Sequence, residues 1–213
     1  MSGIVRHSDD DLLRRIAAGD ADAFSEFYEQ WQARIYRFAL HMSGSHSMAE
    51  DISQETFMNL ISAAKNFDPT LGAASSYLFG IARNQVRRRF DQDRHLVPLA
   101  ETDLESSNGD LSHRRNGNHS SPSSNVIVAP IDFSRKEALE SIRHALVTLP
   151  AHYREVVALC DLQEMSYEQA AATLDCAVGT VRSRLHRARA LLAAKLGDLR
   201  STETKAAVGG SRN

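Results

Sequence analysis

Cysteine is scarce: Cys160 and Cys176 are the only two in 213 residues. That excludes a disulfide-held scaffold, and neither thiol has a Cys or His partner at the spacing of a zinc site, so no metal is implied. Long apolar runs are missing as well. A membrane span needs about 18 consecutive apolar residues and none occurs. The start of the chain, Met1-Ser-Gly-Ile-Val-Arg-His-Ser-Asp-Asp10, turns acidic where a signal peptide is basic and then apolar. The expectation is a cytoplasmic chain without membrane insertion. There is no large excess of one charge either. A formal net charge of −2 argues against a general nucleic-acid coat protein. Catalytic patterns are also absent: there is no Ser-His-Asp order, no glycine-rich phosphate loop and no paired-carboxylate pocket. His41 reads as a surface histidine and Cys160 as a small core residue. Neither an enzyme nor a cofactor is expected.

What is present is helical period. Hydrophobic residues make up 42% of the chain, enough for packed cores in a soluble protein, and the length allows one domain or two small ones. Phe24, Phe27/Tyr28, Trp31, Ile35 and Phe38 form a continuous stripe that starts at an Asp20 or Asp22 cap. Gly44-Ser-His-Ser47 interrupts it. A capping box, Ser47-Met-Ala-Glu50, then opens a second amphipathic helix marked by Ile52, Phe57, Leu60, Ile61 and Ala64. That helix ends at Asn66-Phe-Asp-Pro69, because the residue before a proline is pushed out of the helical region. A third helix is read over Ser76–Phe90, carrying Arg83, Arg87, Arg88 and Arg89.

Residues 95–133 differ in kind. Runs such as Ser106-Ser-Asn-Gly-Asp110 and Ser120-Ser-Pro-Ser-Ser-Asn125 are linker chemistry without period. A coil of that length averages roughly 35 Å between its ends, so it can hold two domains on separated targets. The charge is graded along the chain: 11 basic against 13 acidic residues over 1–95, 2 against 5 over 96–133, and 12 against 9 over 134–213.

From about Ser134 helices return. Ala138, Ile142, Ala145/Leu146 and Leu149 form a stripe before Pro150; Val156, Val157, Leu159, Cys160 and Leu162 form the next. Then come Ser166–Leu174, a short turn Asp175-Cys-Ala177, and a long helix from Val178, which is the helix-turn-helix order. With Val181 set at zero and steps of about 100°, Leu185, Ala188 and Leu192 fall within about 40° of it, a core-facing stripe. Arg182, Ser183, His186, Arg187 and Ala190 fall between about 100° and 240°, facing away. Such a face can reach guanine edges and phosphates in a major groove. Arg184 and Arg189 lie on the flanks, where phosphate contact is the natural use. A solvated basic face is the plain alternative, but four arginines within eight residues after this turn favour DNA. On the earlier strip, Arg83 and Arg87 project from the helix while Ala82 and Gln85 stay with Leu78 on its buried side. Tyr77 and Phe79 there could stack unpaired bases.

Two blocks of the chain resemble the extracytoplasmic-function group of bacterial sigma factors, in the sigma-70 family. Asp51-Ile-Ser-Gln-Glu-Thr-Phe-Met-Asn-Leu60, Phe67-Asp-Pro69 and Tyr77-Leu-Phe-Gly-Ile-Ala-Arg-Asn84 are similar to their region 2. Leu149-Pro-Ala-His-Tyr-Arg-Glu-Val156, Met165-Ser-Tyr-Glu168 and Asp175-Cys-Ala-Val-Gly-Thr-Val-Arg-Ser-Arg-Leu185 are similar to their region 4. The resemblance implies an all-α fold of two small helical domains joined by a flexible linker: region 2 over 10–94, the linker over 95–133, region 4 over 134–198 and a disordered tail over 199–213. It implies that Asp51, Gln54 and Glu55 dock on the clamp helices of the largest subunit of core RNA polymerase, with region 4 near the flap. Tyr77, Asn84, Arg87 and Arg88 would serve the minus-ten element, and Arg182, Ser183, Arg184, His186 and Arg187 the minus-thirty-five element. The chain departs from the usual pattern at Tyr77, where many relatives carry Trp, and at Ala74, where they carry a bulky aromatic. An anti-sigma factor is a further implied partner, and an acidic linker would suit a basic channel of the polymerase. The expected function is a promoter-specificity subunit; the alternative is a helix-turn-helix regulator that binds DNA without polymerase.

Overall fold

The computed structural model describes residues 7–95 and 133–209, with side chains over 7–92 and 139–197. Every regular element among them is helical: α1 (Asp9–Ala17), α2 (Ala21–Ser43), α3 (His46–Ala63), α4 (Ala74–His95), α5 (Phe133–Val147), α6 (Ala151–Val157), α7 (Tyr167–Leu174) and α8 (Val178–Gly209). A short 3-10 turn, Ala64–Asn66, follows α3, and a π turn, Ala158–Leu162, follows α6.

The N-terminal bundle is α1 to α4. The α1 helix is too short to show a period and was not read from the sequence; Ser8 caps it by accepting from the Asp11 amide at 3.2 Å, and Leu12, Leu13 and Ile16 are buried. Asp20 caps α2 through the Asp22 and Ala23 amides, and Phe27, Trp31, Ile35 and Phe38 fill the core as expected. Phe79 of α4 meets Phe38 edge-on at 5.4 Å and Trp31 at 6.1 Å. Two helix starts differ from expectation. Ser45, not Ser47, caps α3, accepting from the Met48 amide at 3.3 Å; Gly44, left-handed at φ 72°, turns the chain so that Ser45 is extended and Ser47 already helical. The α4 helix begins at Ala74 because the Asp10 carboxylate accepts from the Ala74 amide at 3.2 Å. That partner lies 64 residues away, outside any local pattern.

The C-terminal bundle is α5 to α8. Ser166 and Gln169 form a reciprocal capping box at α7. The α7 helix ends on Asp175 at φ 52°, and α8 buries Val181, Leu185 and Ala188, with Leu192 half-buried. Helix α8 continues to Gly209, so residues 199–209 are helical where a disordered tail was expected. The expected linker falls, apart from its ends, outside the described residues.

The two bundles are docked on each other, and their buried residues form one continuous cluster, an arrangement that a flexible linker neither requires nor reveals. Besides this shared apolar packing, the boundary carries specific polar contacts. Arg34 of α2 reaches the Gln163 carbonyl at 2.7 Å; Arg83 of α4 grips Glu155 of α6 at 2.8 Å; the Ser76 hydroxyl donates to the Gln169 carbonyl at 3.3 Å; and the Thr173 hydroxyl, which donates to Gln169 of its own helix at 3.0 Å, lies 3.4 Å from the Ser76 carbonyl. Arg154 donates to the carbonyls of Met42, Val147 and Leu149, so one guanidinium serves the C-terminal ends of both α2 and α5. Burial lowers its pKa and leaves its Nε without a partner. His41 is not a surface residue: it is half-buried with an unpartnered Nδ1, and burial followed by Arg143 and Arg37 lowers its pKa.

At Gly44 a Cβ would stand 2.8 Å from Cγ2 of Val147, across the bundle boundary. Gly44→Ala is expected to lose about 1–2 kcal/mol through the left-handed backbone alone, and more through the overlap. Adding Val147→Ala should relieve the overlap and leave the backbone part, a difference that urea denaturation of both chains measures.

Candidate nucleic-acid interface

The recognition face of α8 is formed as the helical wheel requires. Arg182, Ser183, His186 and Arg187 are exposed, and Arg184 is half-buried on the flank. The Arg182 guanidinium sits over the Tyr167 ring of α7, 5.7 Å from its centroid, which holds it by a cation–π contact and limits its sweep. Ser183 donates to the Thr180 carbonyl at 3.0 Å. Arg189 differs from expectation: it is held bidentately by Asp161, with Nε at 3.0 Å from the carboxylate, and so braces α8 on the π turn instead of standing free for phosphate.

On α4, Asn84, Arg87 and Arg88 are exposed. Tyr77 is fixed in place: its hydroxyl donates to the Ala63 carbonyl at 2.6 Å and its ring packs on Phe67 at 5.4 Å. Burial raises the pKa of its phenol. Phe79 is fully buried and cannot stack a base. Tyr77, Phe67, Leu71, Gly80, Ile81 and Asn84 line a groove of about 320 Å³, and Thr173 of α7 closes its far side. At the rim Leu71 is 82% exposed. The loop below it is stiffened by Asp68, whose carboxylate accepts from the Thr70 amide and hydroxyl at 2.9 and 2.7 Å. Those bonds hold the Asp68 pKa below its usual value. Such a groove, with an apolar wall and the amides of Asn66 and Asn84 on its lining, suits an unstacked base.

The third surface is on α3. Asp51 and Gln54 are exposed and Glu55 is half-buried, all on one side of the helix. Arg89 of α4 pairs with Glu55 and stands 3.7 Å from Asp51. Met58, 63% exposed, and Ile61, 46% exposed, extend this face. Ile61 was expected on the buried stripe. It lies one residue past the core position Leu60, about 100° around the helix, a register that its apolar character masked. Among the described residues no group of His, Cys, Asp and Glu could hold a metal ion, and no helix is long and apolar enough to cross a membrane.

Helical bundles throughout the described residues, with a groove along α4 and an exposed helix-turn-helix face on α8, define a DNA-binding transcription factor. The Sigma-70 region 2 family matches residues 27–95 and the Sigma-70, region 4 family residues 139–192. The chain is 30% identical to the extracytoplasmic-function (ECF) RNA polymerase sigma factor SigW of Bacillus subtilis over 88% of its own length and 96% of that protein's. It is 32% identical to the ECF factor EcfG of Rhodopseudomonas palustris, over 75% and 77%, and 33% identical to SigE of Mycolicibacterium smegmatis, of whose length it spans 62%. The sigma factor RpoE of Bartonella quintana, solved with the anti-sigma factor NepR, superposes with a TM-score of 0.62 at 25% identity, covering 83% of this chain and 98% of that one. The chain belongs to the ECF sigma factors of the sigma-70 family.

Cys160 is half-buried beside Asp161, and burial first, then that carboxylate, pushes its thiol up to about 11. Its thiolate fraction at pH 8 is therefore about 100-fold below that of an ordinary thiol; the more basic thiolate is also the better nucleophile, so in the Cys176→Ser chain its reaction with a disulfide reagent should be about tenfold slower than glutathione's. A rate equal to glutathione's would show the thiol to be available for redox chemistry.

Proposed function

We propose that this chain acts in the cytoplasm as a promoter-specificity subunit without a catalytic step of its own. It recruits core RNA polymerase through Asp51, Gln54 and Glu55 with the neighbouring Met58 and Ile61. It reads the minus-thirty-five element with Arg182, Ser183, His186 and Arg187, Arg184 adding phosphate contact, and it captures the minus-ten strand with Asn84, Arg87 and Arg88. Tyr77 acts as the strut of the groove wall. The observation that carries the reading is the exposed, pre-oriented basic face of α8, the second helix of the helix-turn-helix, in a chain with a groove along α4. By analogy with the Bartonella factor, an anti-sigma protein is the proposed partner that withholds it.

The direct test is run-off transcription with sigma-free core polymerase on a promoter library, sequenced for start sites. Discrete starts sharing a two-block upstream motif are expected. Random starts, or duplex binding independent of core, would replace the sigma reading by that of an ordinary regulator. Within the holoenzyme, Arg182→Ala and Arg187→Ala should each cost about 1–3 kcal/mol in promoter binding and relax preference at one upstream position, measured by filter binding over a randomised element. The Gln54→Ala, Glu55→Ala double variant should lose core affinity in a competition titration against wild type while its circular dichroism stays unchanged.

A further inference from the structure

Arg83 is out of place on its own helix. It stands one turn before Arg87 and next to Asn84, on the strip of α4 that borders the groove, and both neighbours are exposed. Its side chain is only 14% exposed and its partner Glu155 only 9%. The pair is bidentate, with Nε 2.8 Å from Oε1 and Nη2 3.4 Å from Oε2. The two residues come from different bundles. Among the described residues the Glu155 carboxylate has no second ion-pair partner, so once the bundles part, both charged groups face solvent.

A guanidinium fork binds a carboxylate and a phosphate with the same two parallel N–H donors. From this we propose that Arg83 is a further phosphate-binding residue for the opened minus-ten strand, and that in the free chain Glu155 occupies it in place of that phosphate. The inference rests on the promoter-opening role above. The rest of the boundary acts in the same direction. The Ser76 and Thr173 hydroxyls tie α4 to α7, and Thr173 and Ala172 wall the groove that would take the base. Docking of the bundles therefore removes one phosphate ligand and narrows the base site in a single motion. The recognition face of α8 stays open throughout, as do Asp51 and Gln54.

The test uses full-length wild type, Glu155→Gln and Arg83→Gln, each titrated free and as holoenzyme with a fluorescent single strand carrying the non-template minus-ten sequence from the run-off experiment. For the free chain, Glu155→Gln should tighten binding by about tenfold, the factor by which the competent fraction rises, with loss of compaction in small-angle scattering. For the holoenzyme, Glu155→Gln should match wild type, whereas Arg83→Gln should bind more weakly, with its log-affinity against log-salt slope shallower by about 0.7, the value of one phosphate contact on a single strand. The Arg83→Glu, Glu155→Arg exchange keeps the pair: it should be as compact as wild type when free and defective like Arg83→Gln in the holoenzyme, which separates lost contact from misfolding. An unchanged salt slope for both Arg83 variants would overturn the phosphate role. An open Glu155→Gln chain that binds the strand no better than wild type would overturn the competition. Should wild type form no holoenzyme, the sigma reading falls and this inference with it; an active wild-type holoenzyme with unmoved variants overturns this inference alone.

Discussion

Helix α2 is the member on which both halves of the molecule depend. Its stripe of Phe27, Trp31, Ile35 and Phe38 is the centre of the N-terminal core, against which α1, α3 and α4 are laid. Truncating one such aromatic typically removes about 3–5 kcal/mol, a large part of the stability of a small domain. The flank of the same helix, with Arg34, His41 and the Met42 carbonyl, faces α5, α6 and the π turn of the other bundle. A displacement of α2 would therefore shift the groove on α4 and the seat of the C-terminal bundle together.

The two kinds of contact around α2 differ in physical character. Within each bundle the buried groups are mainly aliphatic and aromatic; between the bundles the same apolar cluster continues, with Val147 against Gly44 beside it, and is joined by Arg83 with Glu155, Arg34 with Gln163, Ser76 with Gln169, and Arg154 with helix-end carbonyls. Apolar burial favours association whatever the partner's orientation. Polar contacts of this kind define one orientation and add little net strength, because each group is well satisfied by water when released. The polar part of the boundary thus sets the geometry of the docked state, while the shared apolar cluster supplies its strength. His41 adds a pH dependence. Its Nδ1 is buried without a partner, and burial first, then Arg143 and Arg37, lowers its pKa, so its share of stability is present above the unfolded value near 6.5 and falls away at lower pH.

The sequence displayed whatever repeats locally. The α2 stripe, the helix-turn-helix order and the split of α8 into Val181/Leu185/Ala188 inside and Arg182/Ser183/His186/Arg187 outside follow from a 3.6-residue period and stand in the structure as expected. What escaped notice depends on distant partners or on shortness. The α1 helix is a two-turn element with no room for a period. The cap on α4 is a carboxylate from α1. Arg83 looked like a free cation because its helix shows only which way it points, not that a glutamate 72 residues further on occupies that direction. Arg189 was misread in the same manner, since Asp161 lies on the π turn. Charge spacing identified the strips; pairing, which belongs to the tertiary structure, decides which cations are available.

That availability is uneven between the two surfaces proposed to face DNA. Docking encloses Arg83 and walls the α4 groove, yet leaves the α8 face and the α3 surface open. Closure therefore need not obstruct the first encounter with polymerase. What it suppresses is the later step, capture of an unstacked strand, whose apparent affinity scales with the fraction of open chain; a chain open about 1% of the time binds about 100-fold more weakly than its intrinsic constant. A polymerase that engages the two bundles at separate sites favours the open form by its own differential affinity and restores the whole factor. Strand capture is thereby coupled to assembly through the boundary that holds Arg83 on Glu155. The coupling is reciprocal: a captured strand, by holding Arg83, disfavours closure and tightens the grip of the chain on polymerase for as long as the promoter stays open.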